Sequence, residues 1–569
     1  MAQNGQAYLH RSEVANDPKV MTRASDEALD EYRKKHTSIK ANEEKMGFEH
    51  QCRQNATEEE QRANEIIQWL RHQDQVNVFN TAPRRKGYGG QLHSRFVGDH
   101  FLSNKPLIED TALFRITRQM PKGSHLHIHF NSCLKPHVLL DIAKEMDGMW
   151  ISSDLRLTPD NDYESFEQCE IQFSLATKND EPLGNLFHGE RKGRRWMKFQ
   201  DFLRQFPAHY EKSTADEWLS NKLMFHEDEA HNCLQSQDGI WEKFNGRTRM
   251  MKGLINYRKA YAAYMRRFLQ DLVSDNILYA EIRVNFMQSN QLYDDDGSSS
   301  SGNRQIMELI IDEVRAFQNE MSSKGRFFGG VKVIYCTPRS FNQEAIAQAL
   351  GECFSFKLEW PGWIAGFDLV GEESKGKPLQ AFVPELLGFK RRCEEAGIDI
   401  PLLFHCGETI ADEDDNLSHA LNLGSKRIGH GFALINHPYI MQRMKDEGVC
   451  LELCPISNEI LGLAGRISQH AMYPLLASNV HCTLSSDNGT LFRSSLSHDF
   501  YQVLVGKSDI SLSGCRQLIL WSIEHACLEA EEYGYIRDEW ERQWAAFLDW
   551  IIKAYWDQYM SSANMRLPS

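Results

Sequence analysis

The run SHLHIHF at residues 124–130 alternates polar and apolar side chains and is the first of eight short β-rich runs in the chain. Amphipathic, helix-like segments separate these runs. The other seven are LYAEIRVNF at 278–286, GGVKVIYC at 329–336, IAGFDLVG at 364–371, PLLFHCGE at 401–408, RIGHGFAL at 427–434, CLELCPISN at 450–458 and HCTLSSDN at 481–488. Strands that alternate with crossover helices form parallel sheets, and eight such units suggest a closed barrel. The sequence therefore predicts an α/β fold of the (β/α)8 TIM barrel class.

Histidines and one aspartate stand near the ends of these predicted strands. His127 and His129 close the first strand and share a face, because alternate residues of a strand point the same way. His405 lies in the fifth strand, His430 in the sixth and Asp487 in the eighth. A single histidine in a strand is usually a hydrogen-bonded core residue, but several at the C-terminal strand ends of a barrel favour a metal site. Neutral imidazoles and one carboxylate suit zinc and leave a position open for water.

Two further polar residues are candidates for proton transfer. Glu408 follows His405 by three residues in HCGET, where it can approach a bound water and a substrate without becoming a ligand. His430, in RIGHGFAL, can orient or deprotonate the water. The alternatives are a surface carboxylate for Glu408 and a structural histidine for His430.

The first 110 residues are polar and have a helical pattern. Thr57 followed by Glu60 is typical of a capping box at a helix start. Apolar residues then recur at helical spacing at Ala63, Ile66, Ile67 and Leu70. We predict an N-terminal helical extension over 1–110, which packs on the barrel of 111–569 or serves as the interface of a homodimer.

The gap between the first and second predicted strands is far longer than one crossover helix requires. An inserted subdomain is therefore expected at about 145–240, over the mouth of the barrel. Its basic run RKGRRWMKF, at 191–199, is interpreted as a solvated face and not as a nucleic-acid patch. The run DDDGSSSSGN, at 294–303, predicts a mobile loop near the same mouth.

Composition narrows the classes of partner. The chain has 569 residues and a formal net charge of -15, which disfavours nucleic acid or an anionic membrane as the main partner and leaves a small molecule as the better hypothesis. No stretch approaches the roughly 20 apolar residues of a membrane span, and the N-terminus shows no signal-peptide pattern. With 13 cysteines, an odd number, the chain is expected to be cytoplasmic with reduced thiols. A metal pair at Cys450 and Cys454 is disfavoured, since no second pair matches it.

Six motifs resemble those of the adenosine deaminase family. They are MPKGSHLHIHF at 120–130, AGFDLVG at 365–371, FHCGET at 404–409, RIGHGFAL at 427–434, ELCPISN at 452–458 and SSDN at 485–488. The sequence RIGHGFAL followed by His437 and Pro438, CPISN, and LSHDFYQVLVG at 496–506 look most like the adenosine deaminase-related growth factor branch.

This resemblance implies a reaction and a role for each matching residue. The reaction is the zinc-dependent conversion of adenosine and water to inosine and ammonia. Glu408 would protonate the purine ring at N1, His430 would assist the attacking water, and the amide of Gly371 would donate to the ring. One zinc ion per chain would be bound by His127, His129, His405 and Asp487.

The sequence departs from the family pattern at two substrate contacts. Asn488 stands where the family usually has an aspartate that bonds purine N7, and its amide can still donate to N7. Phe130 and Asn131 follow His129, where the family commonly has an aspartate near the ribose 5′ hydroxyl. Also, the branch is often secreted and disulfide-bonded in its insert, so secretion is the alternative to a cytoplasmic location.

Three other functions stay open at this point. The chain could act on another 6-aminopurine, or be a different barrel amidohydrolase, although the fourth strand lacks the bridging lysine of binuclear members. It could also be a growth-factor-like binding protein that retains the barrel. Zinc content and ammonia release from adenosine distinguish these functions.

Overall fold

Parallel strands connected by helices form the centre of the chain in a computed structural model that describes residues 24–87, 89–175, 183–189, 192–232, 234–287, 290–409, 414–507 and 510–564. The strands are β1 (Arg85–Lys86), β2 (Leu92–His93), β3 (Ser124–His129), β4 (Trp150–Leu155), β5 (Ile171–Ser174), β6 (Lys192–Lys198), β7 (Tyr279–Asn285), β8 (Leu292–Tyr293), β9 (Ser300–Ser301), β10 (Gly330–Pro338), β11 (Ile364–Val370), β12 (His405–Cys406), β13 (Arg427–His430), β14 (Cys450–Leu453) and β15 (Cys482–Leu484).

Helices connect and cover these strands. They are α1 (Asp26–Met46), α2 (Phe48–Gln54), α3 (Glu58–Asp74), α4 (Phe101–Asp110), α5 (Ala112–Gln119), α6 (Pro136–Lys144), α7 (Asp160–Gln168), α8 (Phe199–Gln205), α9 (Ala215–Lys222), α10 (Glu227–Ala230), α11 (Gln237–Ile255), α12 (Arg258–Ser274), α13 (Asn303–Ser323), α14 (Gln343–Glu359), α15 (Val383–Ala396), α16 (Asn416–Asn422), α17 (Pro438–Asp446), α18 (Pro455–Ile460), α19 (Met472–Ala477), α20 (Gly489–Phe492), α21 (Leu496–Gly506), α22 (Leu512–Glu524) and α23 (Ala530–Asn564).

Eight of the strands follow one another around a ring. They form two parallel four-stranded sheets, β3-β7-β10-β11 and β12-β13-β14-β15. Single parallel bridges join the two sheets at both edges, between Phe367 and Leu402 and between Ile128 and Asp487. The predicted (β/α)8 barrel is confirmed, and its C-terminal strand ends lie on one face, where barrel active sites are found.

Strands β13 and β14 end earlier than the apolar runs predicted. Strand β14 ends at Leu453, and Pro455 then begins helix α18. Strand β13 ends at His430, and residues Phe432–Asn436 form a 3-10 helix. The prediction of strands to residues 434 and 458 was therefore wrong. Helix α18 and residues 432–434 of the 3-10 helix are buried as fully as the strands, so apolar content alone does not distinguish helix from strand at these positions.

Helix α3 packs the N-terminal segment on the barrel. Thr57 caps the helix by accepting the Glu60 backbone N–H at 3.2 Å, as predicted. The Glu60 carboxylate does not complete the capping box, because it accepts instead from Ser513 Oγ of α22 at 2.6 Å. The predicted apolar face is buried at Ala63, Ile66, Ile67 and Leu70.

Helix α1 has no buried residue. Tyr32, Ile39 and Met46 are its most exposed large apolar side chains, and their spacing of seven residues brings them to one side of the helix. The homodimer through the N-terminal helices stays a prediction, and sedimentation velocity on the full chain would test it.

The segment between β3 and β7 contains a separate antiparallel sheet of order β5-β4-β6. Within the basic run, Arg194 bonds Ser152 Oγ at 3.0 Å, and Trp196 is 1% exposed. The run is therefore an edge strand in which Trp196 and Met197 are buried, and not a wholly solvated face; Arg191 lies outside the described residues. In place of a continuous loop at 294–303, β8 and β9 form a short antiparallel pair.

Two further features concern membrane-spanning helices and the cysteines. Within the described ranges, no helix is both long and apolar enough to cross a membrane. The thiols of Cys450 and Cys454 are buried, and each lies 3.7 Å from a backbone oxygen, of Leu451 and Glu452 respectively. The cytoplasmic location stays a prediction.

Candidate active site

Four predicted metal-binding side chains meet at the C-terminal end of the barrel. His129 Nε2 lies 3.2 Å from His405 Nε2 and 3.3 Å from Asp487 Oδ1. His127 Nε2 lies 3.8 Å from the same carboxylate oxygen, and the rings of His127 and His405 are 4.5 Å apart at their centroids. The fold thus brings together residues of β3, of β12 and of the segment after β15. Asp487 lies more than 350 positions after His127 and His129 in the sequence.

The donor atoms fit a bound zinc-type cation. His127 Nε2 is buried and finds no hydrogen-bond partner in the part of the chain that the structure describes, which is unfavourable unless another species binds it. Burial lowers the pKa of His127 and of His129 well below the ordinary value, so both imidazoles are neutral and keep a lone pair for a metal. Three imidazoles and one carboxylate are a typical zinc donor set with room for a water molecule.

A layer of buried charges beneath the four donors fixes the orientation of two histidines. Glu452 Oε2 lies 2.8 Å from His127 Nδ1, and Asp368 Oδ2 lies 2.7 Å from His405 Nδ1. Each carboxylate accepts the Nδ1 proton, so the Nε2 lone pair points toward the metal site. Arg283 bridges the two carboxylates at 2.8 Å from Asp368 and 2.7 Å from Glu452. Although burial alone would raise the pKa of Asp368, His405 and Arg283 lower it below the ordinary range.

This layer was not predicted from the sequence. Arg427 extends it, with Nε 2.6 Å from Glu452 and Nη2 2.5 Å from Glu281. A signal was available, because these residues are isolated charges within the otherwise apolar strands β7, β11, β13 and β14. Charged groups are almost never fully buried unless paired, so such isolated charges indicate partners inside the barrel.

Two residues of the site adopt a left-handed backbone conformation. Both Asp487 and His430 have φ of +60°. Non-glycine residues in this region cost on the order of 1 to 3 kcal/mol and cluster at functional sites. The Asp487 backbone is held by β3 on both sides, since its N–H donates to His127 O and its carbonyl accepts from the His129 N–H.

Glu408 lies beside the four donors and is buried. Burial raises its pKa well above the ordinary value, and the nearby carboxylates of Asp487 and Glu373 add to the effect. Glu373 also fixes the loop, because its carboxylate accepts the backbone N–H groups of Gly407, Glu408 and Thr409 at 3.0, 2.8 and 3.3 Å. A protonated carboxyl in this position is a suitable general acid.

A hydrogen-bond chain sets the tautomer of His430. The Met472 N–H donates to His470 Nδ1 at 3.0 Å, so the neutral His470 ring carries its proton on Nε2 and donates to Asn458 Oδ1 at 3.1 Å. Burial lowers the pKa of His470 to about 4, which keeps this ring neutral. The Asn458 amide therefore donates to His430 Nδ1 at 3.2 Å.

The neutral His430 ring consequently carries its own proton on Nε2, which lies 3.5 Å from Glu408 Oε1. Of the two roles considered for His430, this tautomer favours orienting the water by donation over deprotonating it.

A pocket of about 460 Å³ opens above these groups, a volume suited to a small organic ligand. His129, Glu408, His430 and Asp487 line its floor, and aromatic side chains of α11 line one wall. Gly371 also borders the pocket, with φ of +108°, a conformation that side chains rarely allow. A flat apolar ring would fit between these aromatic and polar surfaces.

The two residues that depart from the family pattern also line this pocket. Asn488 Nδ2 donates to Asp487 Oδ1 at 2.6 Å, and its Oδ1 accepts from Ser132 Oγ. These bonds fix the amide orientation and leave the second Nδ2 hydrogen for another acceptor. Asn131 borders the pocket near His129. The predicted metal, catalytic and substrate-contact residues thus all border one site, except His127, which is buried behind it.

Comparison with known proteins gives consistent matches. The family profile described as adenosine deaminase matches residues 224–542. An adenosine deaminase of Lutzomyia longipalpis is 30% identical over 78% of this chain and 80% of its own length. Adenosine deaminase 2 of Homo sapiens is 29% identical over 79% of this chain and 82% of its own length.

Among solved structures, an arabidopsis N6-mAMP deaminase aligns with a TM-score of 0.51 at 16% identity, and the alignment covers 75% of this chain and 99% of that one. This structural likeness supports the barrel fold.

Proposed function

This chain belongs to the adenosine deaminase family, in the branch of adenosine deaminase 2, and from that premise we propose that it converts adenosine to inosine and ammonia with one catalytic zinc ion. It is a hydrolytic deaminase. The observation that carries the proposal is that four zinc-type donors meet beside the buried Glu408 carboxyl, whose pKa burial raises, and that all of these residues except His127 border one pocket.

His127, His129, His405 and Asp487 would hold the zinc ion. When bound, zinc supplies Lewis acidity that lets water act as a nucleophile near neutral pH. The remaining residues of the site would bind the purine, transfer protons and donate hydrogen bonds. Burial and the exclusion of bulk water strengthen each of these polar contacts.

In the proposed reaction, water adds to C6 of the purine while Glu408 gives its proton to ring N1. His430 donates from Nε2 to the adding oxygen and holds it in line with C6. The C6–N bond then breaks, the amino group takes up the second proton of the added water and leaves as ammonia, and the oxygen stays on C6 of inosine as the carbonyl oxygen. Glu408 recovers its proton from the added water, so atoms and charge balance. Gly371 would donate its amide N–H to the ring.

Incubation of the purified full chain with adenosine should release ammonia and inosine in equal amounts. Dialysis against a strong chelator should abolish this release, and added zinc should restore it. Another 6-aminopurine that reacts while adenosine does not would identify a different aminopurine deaminase. A zinc-loaded chain that binds adenosine and leaves it unchanged would contradict the proposal and favour a growth-factor-like binding protein.

Asn488 is expected to read purine N7 with its second amide hydrogen. Replacing N7 by CH in 7-deazaadenosine leaves this buried donor unpaired, which costs on the order of 1 to 3 kcal/mol. We expect kcat/KM to be lower for 7-deazaadenosine than for adenosine by roughly one to two decades.

The variant Asn488→Ala is the matched control, since it should lose activity on adenosine and show little difference between the two substrates. Equal kcat/KM for both substrates in the parent protein would exclude contact between Asn488 and N7.

A further inference from the structure

A second cluster of metal-binding side chains lies outside the active site. It consists of His100, at the start of α4, His231, at the end of α10, and Glu459, in α18 of the barrel. The N-terminal segment, the segment inserted between β3 and β7, and the barrel each contribute one residue. The donor atoms of all three lie within 4.8 Å of one another.

The donor spacing is close to that of a tetrahedral zinc site. His100 Nδ1 lies 3.3 Å from Glu459 Oε1, and His231 Nε2 lies 3.6 Å from the same oxygen. Bonds of 2.0 to 2.2 Å at tetrahedral angles separate two ligand atoms by about 3.4 Å. The shorter distance is also a hydrogen bond, whereas the longer one exceeds a hydrogen bond, so no proton links His231 to Glu459 and the His231 lone pair remains for a cation.

The two buried side chains of the cluster keep lone pairs that can bind a cation. The His231 side chain is 3% exposed, and among the described residues its Nε2 has no hydrogen-bond partner. Burial, helped by His100, lowers the pKa of His231 to about 3, so the imidazole is neutral and keeps a lone pair. Glu459 is equally buried, and its Oε1 accepts the Phe101 N–H at 2.7 Å and is hydrogen-bonded to His100 Nδ1, so these contacts leave the lone pairs of Oε2 for a cation.

Nearby cations do not compete for this carboxylate. The guanidinium groups of Arg85 and Arg466 instead face Asp99, at 3.3 and 2.6 Å. His100 is 24% exposed, which gives solvent a path to the cluster and room for water as a further ligand.

We propose that His100, His231 and Glu459 form a second zinc site, which joins the N-terminal and inserted segments to the barrel. Two imidazoles and one carboxylate form an established zinc donor set. Because the three ligands come from three parts of the chain, binding stabilises their folded arrangement. The site does not depend on the proposed reaction.

Zinc analysis of four full-length proteins separates this site from the catalytic one. After saturation with zinc and removal of excess metal, we expect two zinc ions per chain in the parent and one in His127→Ala. The His127→Ala, His231→Gln double variant should contain none. His137→Gln, a change at an exposed histidine of α6, is the matched control and should keep both ions.

A conservative variant at Glu459 distinguishes the loss of a zinc ligand from misfolding. Glu459→Gln keeps an oxygen that can accept the Phe101 N–H but removes the negative charge, and it should also lose one zinc ion. Added zinc should raise the unfolding temperature of His127→Ala and leave that of the double variant unchanged. Retention of the parent zinc content in both His231→Gln and Glu459→Gln overturns the proposal. A chain whose single zinc ion is lost in His127→Ala and kept in His231→Gln overturns it as well, without affecting the proposed reaction.

Discussion

Replacing His405 by alanine is expected to remove the catalytic zinc ion and with it all measurable release of ammonia from adenosine. The change deletes one of four donors and leaves Asp368, its partner at 2.7 Å, buried beside Arg283 without an imidazole. A site that must keep one coordination position for water cannot spare a protein ligand. His127→Ala and Asp487→Ala should have the same effect.

The measurement is zinc content per chain together with ammonia release, compared with those of His137→Gln. Circular dichroism should show that the barrel remains folded in each variant. If His405→Ala retained the full zinc content of the parent, His405 would have to be withdrawn as a ligand.

The variant Glu408→Gln is expected to keep its zinc content and to lower kcat by roughly 10²- to 10⁴-fold, the usual contribution of a positioned general acid-base group. Glutamine preserves the shape of the side chain but cannot give a proton to N1. Because burial raises the pKa of Glu408, the protonated form persists at a pH where an exposed glutamate is ionised.

The sign of the pH dependence follows from this raised pKa. Activity that requires protonated Glu408 is present below the raised pKa and falls as the pH rises through it. This descending limb should be absent from the residual activity of Glu408→Gln. Glu372→Gln is the control, since Glu372 also borders the pocket and should change kcat less than tenfold. A near-normal kcat in Glu408→Gln would assign the proton transfer to another group.

Much of the barrel and of the candidate site could be predicted from the sequence. Alternation in SHLHIHF indicates that His127 and His129 share a face, and the C-terminal ends of parallel strands meet at one edge. Those two rules are sufficient to predict that His405, His430 and Asp487 lie near His127 and His129, without any knowledge of how the side chains pack. The motifs then identify Glu408, because they resemble a known family.

Only the tertiary structure determined the partners of these residues. Asp368 pairs with His405 across the two neighbouring strands β11 and β12, and Glu452 pairs with His127 of a strand 325 positions earlier. The tautomer of His430 depends on Asn458 and His470, which neither periodicity nor composition connects. Helix α18 also occupies positions whose apolar pattern predicted a strand. Glu60 accepts a hydrogen bond from Ser513, although the sequence predicted that it would complete a capping box.

The physical reason is the range of the interactions. Hydrophobic periodicity reports which side of an element is buried, because burial acts on each residue along its own strand or helix. A buried charge or amide instead requires a specific partner, and that partner is selected by distance and angle after the elements have packed. The sequence by itself therefore determined the barrel and the donor residues at its mouth, whereas the tertiary structure decided their orientation, protonation and neighbours.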